Sequence, residues 1–316
     1  MATITQIRYA VAIDRHRSFR AAAKWCHVTQ PTLSAGLKKL EEHLEILLFD
    51  RSRSPVAPTP EGAVLLEQFQ VVLREHERIQ DVVSSLRGMV RGPYQLGIIP
   101  TMAPYLLPRF LPAFGDAYPD VTLHIEELPT DQIVTRLTDG TLDAGILAGP
   151  LADRRVVEFE LGSEEFCVFH SPSAELPLNA AGRVDMSRLP TERLLVLREE
   201  HCLRAQTLHI CRNEASPPPS QRFAIEAGSV ATLCAMVLQG PFFTVLPALA
   251  AGDLRKAGQG HLLKDIAGPV PYRELTLAVH RSETKRAIRD ALIRCAKDAL
   301  PSLRSPKRAQ RPTAPR

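Results

Sequence analysis

The chain has 316 residues, too many for one ordinary domain and suited to two or three. With 45% hydrophobic and 23% charged residues, its composition excludes a low-complexity or wholly disordered chain. The net charge of +4 hides an asymmetry: residues 1–60 hold nine Lys/Arg against five Asp/Glu, residues 304–316 hold five Lys/Arg and no acid, and the stretch between is acidic by five. Basic ends around an acidic body suit a chain whose N-terminus meets a polyanion.

Ile7, Ala10, Val11, Ala12 and Ile13 fall at three-to-four spacing and predict a first helix, so the start does not read as a signal peptide. Ser18 is placed to cap a second helix through Phe19, Ala21, Ala22, Ala23 and Trp25. After a turn at 26–29, Thr29 caps a third helix, with Pro31 in the first turn where its missing N–H costs nothing. That helix buries Leu33, Leu37, Leu40 and Leu44 and turns Gln30, Thr32, Ser34 and Lys38 the other way. Two helices joined by a short turn, the second polar at its N-terminal end, describe a helix-turn-helix, and the alanines let the pair cross closely. Thr29, Gln30, Pro31, Thr32, Ser34 and Lys38 are the candidate reading head for double-stranded DNA, because short donors and acceptors suit base edges and phosphates. Leu48 to Pro55 reads as a wing, its apolar part packed and Arg51 and Arg53 free for backbone phosphates. A three-helix packing module without nucleic acid fits the same pattern.

From Pro60 to about Arg87, Leu65, Phe69, Val72, His76, Ile79, Val83 and Leu86 recur in alternating steps of four and three. That heptad seam predicts a dimerisation helix, ended by a hinge at Gly88 to Pro93. Paired heads suit a two-fold-related DNA site. The expected boundaries are therefore 1–59 for the DNA-binding head, 60–92 for linker and hinge, 93–303 for a sensing domain, and 304–316 for a basic disordered tail.

In the sensing domain strands are expected near 94–99, 121–126, 143–147, 156–160, 165–170, 194–197, 223–226, 242–246 and 273–280, with helices between, including 104–117, 131–138, 229–239 and 283–300. This alternation predicts an α/β fold with mostly parallel sheets. Thr101 and Thr130 each follow a strand and a proline, where either a cleft-facing hydroxyl or a helix cap is expected. The longest apolar region, Val230 to Ala251, is broken by Gln239, Gly240, Pro241 and Pro247, so no membrane span and a cytoplasmic location are expected.

The six cysteines, at 26, 167, 202, 211, 234 and 295, show no framework spacing, and any disulfide would more readily be a switch than a staple. Cys202 stands beside His201 and near Arg204, cations that favour a reactive thiolate, and Cys211 follows nine positions on. Peroxide converts a thiolate to a sulfenic acid that a second cysteine captures as a disulfide. The pattern by itself favours two ordinary thiols, one in a loop and one under a helix.

Ser18-Phe19-Arg20-Ala21-Ala22-Ala23, Val28-Thr29-Gln30-Pro31-Thr32-Leu33-Ser34, Leu40-Glu41, Leu48-Phe49-Asp50-Arg51 and Thr59-Pro60-Glu61-Gly62 resemble, in order and spacing, the LysR-type transcriptional regulators. His201-Cys202-Leu203-Arg204-Ala205-Gln206 with Cys211, Ile99-Pro100-Thr101, Pro104-Tyr105-Leu106-Leu107-Pro108 and Leu246-Pro247-Ala248-Leu249-Ala250 are similar to the hydrogen-peroxide-sensing branch of that family, and the likeness extends to about residue 300. It implies an α/β sensing domain of two Rossmann-like lobes hinged like a periplasmic binding protein, lobe I over 93–163 and 268–303 and lobe II over 164–267. It also implies Cys202 as the peroxidatic and Cys211 as the resolving thiol, with Thr101, Thr130, His201, Arg204 and Arg273 around the peroxide. A homodimer or homotetramer and contact with RNA polymerase follow from the same resemblance; no cofactor, metal or enzymatic turnover is expected. Three departures stand out: Glu200 where the branch has glycine, Ala205 where it has an acid, and Gln239-Gly240-Pro241-Phe242-Phe243 in place of a more glycine-rich turn. A carboxylate at 200 opposes ionisation of the neighbouring thiol. The alternatives are the same architecture sensing a small organic anion in its cleft, with the cysteines incidental, and a thiol peroxidase or transport-binding protein. The DNA-reading head and heptad seam argue against the latter class.

Overall fold

The computed structural model describes residues 1–50, 55–211 and 227–300. Arg51, Arg53, the strand expected at 223–226 and the tail 304–316 lie outside the described residues. The chain divides into two compact units, Met1–Arg87 and the remainder from Gly88.

In the first unit, α1 (Ile4–His16), α2 (Phe19–Trp25) and α3 (Gln30–Leu44) begin on side-chain caps from Thr3, Ser18 and Thr29. Each cap oxygen accepts from an N–H that the first helical turn leaves unpaired. Ile13, Ala22, Leu33, Leu37 and Leu40 are completely buried in one core. A short antiparallel pair, β1 (Phe49–Asp50) and β2 (Ala57–Pro58), forms the base of the expected wing, with Leu48 and Phe49 packed inside. The buried Glu41 fixes where that wing starts, its Oε1 accepting from the Leu48 N–H at 2.9 Å.

Thr59-Pro60-Glu61-Gly62 then opens α4 (Pro60–Leu86). Thr59 Oγ1 donates to the Leu47 carbonyl at 2.6 Å and accepts from the Gly62 N–H at 2.9 Å. A Cβ at Gly62 would lie 2.1 Å from the Leu48 carbonyl oxygen, so the close approach of backbones here requires glycine. The heptad seam needs correcting at its N-terminal end. Phe69 is buried and Leu65 and Val72 are half-buried against the unit's own core, while His76, Ile79, Val83 and Leu86 are exposed. A stripe read as one partner-facing seam is therefore packed within its own unit in its first half and exposed in its second.

The second unit is built on one sheet of order β4-β3-β5-β9-β6-β7, with β8 pairing β6. β3 (Gly92–Ile98) pairs in parallel with β4 (Val121–Glu127) and β5 (Ala144–Gly149), connected through α5 (Ala103–Ala117) and α6 (Thr130–Thr138). β6 (Val156–His170), β7 (Phe243–Pro247), β8 (Leu263–Lys264) and β9 (Tyr272–His280) are joined by antiparallel pairing. The expectation of mostly parallel sheets is thus overturned for this part of the sheet, because long strands rather than helical crossovers carry the chain between the two lobes. The expected strands 156–160 and 165–170 are one: the glycine that reads as a break, Gly162, sits at a bulge that shifts the register against β9. Segment 194–197 forms no strand; Leu194 and Leu197 make only isolated bridges, to Phe243 and Ala227.

Four further α-helices lie among the described residues of the unit: α7 (Cys202–Cys211), α8 (Val230–Val237), α9 (Ala248–Lys256) and α10 (Arg286–Asp298). α10 is shorter at both ends than the expected 283–300. Two hydrophobic cores result. One gathers β3, β5 and β9 with α5, α6 and α10 around Phe110, Phe114, Ile146 and Leu277. The other gathers residues between 166 and 266 around Phe169, Val237, Phe243 and Val245. Tyr105 packs against both, and α9 divides its side chains, Leu249 joining the first core and Ala250 and Ala251 the second. Among the described residues no helix is long and apolar enough to cross a membrane.

Candidate functional site

Cys202 and Cys211 are the first and last residues of α7, a helix that sequence periodicity did not announce. Nine steps of roughly 100° turn their side chains to opposite faces, and the rise separates their Cα atoms by roughly 13–14 Å. The environments differ accordingly. Cys202 is partly buried against the first lobe's core, whereas Cys211 is 3% exposed within the second. Both cysteines are free thiols. A disulfide needs Cα atoms about 4.4–6.8 Å apart, so bridging them requires α7 to unwind. Of its residues Leu203, Thr207 and Cys211 are buried, with Leu208 and Ile210 half-buried against the same core, and Thr207 is a β-branched, polar member that suits a helix poorly.

Burial pushes the Cys211 thiol up to about 12, and does the same to Cys167 and Cys234. These thiols stay protonated at neutral pH and are poor nucleophiles while the fold holds. Because their folded values lie above the ordinary 9.0, the stability they contribute is intact below pH 9 and declines as pH rises toward 12. Denaturant titrations should therefore show about 1.4 kcal/mol lost per buried thiol between pH 8 and pH 10. A flat stability curve over that interval would contradict it.

His201 precedes the helix and is 6% exposed, its Nε2 buried without a hydrogen-bond partner. Glu200, the departure from the resemblance, places Oε1 at 3.4 Å from Arg198 Nη2 and 3.8 Å from His201 Nε2. Its negative charge is thus shared with a guanidinium that sequence reading had not selected. Arg204 Nη1 donates to the Leu197 carbonyl at 2.9 Å, tying α7 to the segment before it.

Neither selected threonine is a side-chain cap for the helix it precedes or begins. Thr130, the first residue of α6, has a buried Oγ1 with no partner. Thr101, 2% exposed, has Oγ1 as the acceptor of a 3.2 Å bond from Arg273 Nη1. Arg273 on β9 is itself buried, and its Nε donates to Glu164 Oε1 at 2.7 Å. Its Nη2 lies 2.6 Å from the same oxygen, close but out of line for a hydrogen bond. The structure thus joins Thr101 to Arg273 and adds Glu164, which no sequence signal marked inside the polar run Ser163-Glu164-Glu165. A groove of about 600 Å³ lies elsewhere, beside α6, between Asp131, Thr135, Leu151 and Arg155.

On the first unit, Thr29, Gln30, Pro31, Thr32 and Lys38 are exposed at the start and along one face of α3, with Ser34 half-exposed. The Thr29 and Thr32 hydroxyls are 2.8 Å apart, fixing both. Lys38 Nζ is 3.6 Å from Glu42, an exposed pairing that leaves it available.

Comparison with known proteins places this geometry. Residues 4–63 match the bacterial regulatory helix-turn-helix proteins of the lysR family, and residues 87–301 match the LysR substrate binding domain. The chain is 36% identical to a hydrogen peroxide-inducible genes activator of Dickeya chrysanthemi, over 80% of this chain and 81% of that one. Its fold is similar to a full-length cysteine-to-aspartate mutant of OxyR from Pseudomonas aeruginosa, with a TM-score of 0.71 and 32% identity over 94% of this chain and 95% of that chain. It is also similar to an H2O2-bound OxyR mutant from Corynebacterium glutamicum, with a TM-score of 0.61 and 27% identity over 96% and 94%.

Proposed function

Because this chain belongs to the LysR family of bacterial helix-turn-helix regulators, we propose that it is a cytoplasmic, DNA-binding transcription regulator that senses hydrogen peroxide through a reversible Cys202–Cys211 disulfide. The observation that carries this reading is the placement of the two thiols at opposite ends of one short helix, facing different cores. The chemistry runs in two steps. The Cys202 thiolate attacks one peroxide oxygen, the S–O bond forms as the O–O bond breaks, and the departing hydroxide takes a proton to become water. The resulting sulfenic acid condenses with the Cys211 thiol, forming the S–S bond and releasing a second water. Sulfur supplies both electrons and peroxide accepts them.

Thr101, Thr130, His201 and Arg273 are assigned to holding the peroxide, with Arg204 fixing the segment that carries Cys202. The unpartnered Thr130 Oγ1 and His201 Nε2 support this, since a buried polar atom without a partner is costly unless something binds it. The small-anion alternative is weaker: among the described residues Arg273 is the one buried Lys or Arg, and Glu164 already matches its charge. We divide the chain into a DNA-binding head (1–59), a dimerising linker (60–92), a sensing domain (93–303) and a basic tail. The exposed half of α4 is the contact between copies, and homodimers or homotetramers present paired heads to DNA and contact RNA polymerase differently in the two redox states.

Footprinting on a regulated promoter tests the assignment: the protected region should change on adding peroxide and revert with a thiol reductant. An unchanged footprint would contradict it. On the same DNA, Gln30→Ala should cost about 1–3 kcal/mol at its preferred site and little elsewhere. Lys38→Ala should weaken all sequences alike and reduce the salt slope by about one. A Lys38→Ala protein with altered sequence preference and an unchanged salt slope would show that the roles are misassigned.

A further inference from the structure

We infer that Glu164 is the positioning residue of the peroxide site, holding Arg273 so that the Thr101 hydroxyl hydrogen is directed away from the guanidinium and toward the bound oxidant. The inference rests on the peroxide reading above and concerns a residue outside the cysteine segment. Glu164 lies on β6 where that strand passes from the first core to the second, and its side chain is wholly buried. Both carboxylate oxygens are used. Oε1 receives Arg273 Nε at 2.7 Å, and Oε2 accepts from the Leu249 N–H at 3.0 Å, at the start of α9. One carboxylate therefore ties β6, β9 and the helix whose side chains enter both cores.

The consequence for Thr101 follows from donor and acceptor roles. Arginine has five N–H donors and no acceptor, so Thr101 Oγ1 is obliged to accept from Arg273 Nη1. The hydroxyl hydrogen is then free to donate to a third atom. In the peroxide step the atom that needs a donor is the leaving oxygen, on which negative charge develops as the O–O bond breaks. Without Glu164 the guanidinium would be a buried unpaired cation, free to turn away from Thr101 and leave its hydroxyl unoriented. With it, the orientation is set before peroxide arrives. Glu164 touches no reacting atom and acts through Arg273.

The test compares wild type, Glu164→Gln, Arg273→Met and the double variant, all as full chains. Two rates are read at Cys202: sulfenic acid formation under dilute peroxide, trapped with a dimedone probe, and alkylation by iodoacetamide, a reagent that needs no oxygen leaving group. Glu164→Gln should slow the peroxide reaction about tenfold or more while alkylation changes less than about twofold. The double variant, with no buried charge left over, should melt cooperatively and react with peroxide as slowly as Arg273→Met alone. Should Glu164→Gln fail to fold, the comparison of the double variant with Arg273→Met remains decisive. A Glu164→Gln rate equal to wild type, equal losses in both reactions, or a double variant clearly slower or faster than Arg273→Met would each overturn the assignment. Unreactive wild-type Cys202 would instead overturn the peroxide reading itself.

Discussion

A Cys202→Ser protein should show no peroxide-dependent gene expression, remaining at the uninduced level at every peroxide dose that leaves cells viable. The substitution removes the one thiol placed at the lobe boundary, and the thiols of the sensing domain's second core cannot replace it. Cys167, Cys211 and Cys234 are buried, with their thiols pushed up to about 12, so little thiolate exists at neutral pH. The serine hydroxyl is similar in size and should leave α7 and its packing in place, which unchanged thermal melting would verify. Cys211→Ser should behave differently, accepting oxygen at Cys202 and stalling as the sulfenic acid, because the partner that completes the bridge is missing. Retained induction in Cys202→Ser would move the sensor elsewhere in the molecule.

The second large effect is expected in assembly. Ile79→Asp combined with Leu86→Asp should convert the protein to monomers at concentrations where wild type is associated, as read by sedimentation velocity. Ile79 and Leu86 are 57% and 83% exposed, so neither contributes much to the packing of its own unit. Covering such side chains is worth about 1.5–3 kcal/mol each. In a two-fold pair each loss is counted twice, raising the dissociation constant on the order of ten-thousandfold or more. The melting of the DNA-binding head should hardly change, since its core ends near Val72 and Leu73. An unaltered sedimentation profile would place the association surface on other elements.

Much of the first unit was legible because short-range rules govern it. Ser18 and Thr29 cap where a cap was needed, Pro31 stands in the first turn, and the leucines of α3 are spaced for one face. The linker was legible as a helix but not in which half of its stripe is buried within its own unit. A heptad pattern reports that a stripe is apolar, without telling whether the partner is the same chain or another. The sensing domain yielded its strands and its Thr101, Thr130 and cysteine candidates. It concealed what depends on distant contacts. The β6 strand looked broken at Gly162 because a bulge and a turn share that signal. The helix joining Cys202 to Cys211 has too narrow an apolar stripe to announce itself. Glu164 meets Arg273 across 109 positions of sequence, a pairing that no local pattern encodes.

The shortest route to a decision is thiol mapping by mass spectrometry after a brief, substoichiometric hydrogen peroxide pulse, with folding checked on the same sample by circular dichroism. A linked peptide pair containing Cys202 and Cys211, lighter by two hydrogen atoms and restored by reductant, is the expected result. Both thiols still open to alkylation in a folded protein, or a bridge between other cysteines, would contradict it.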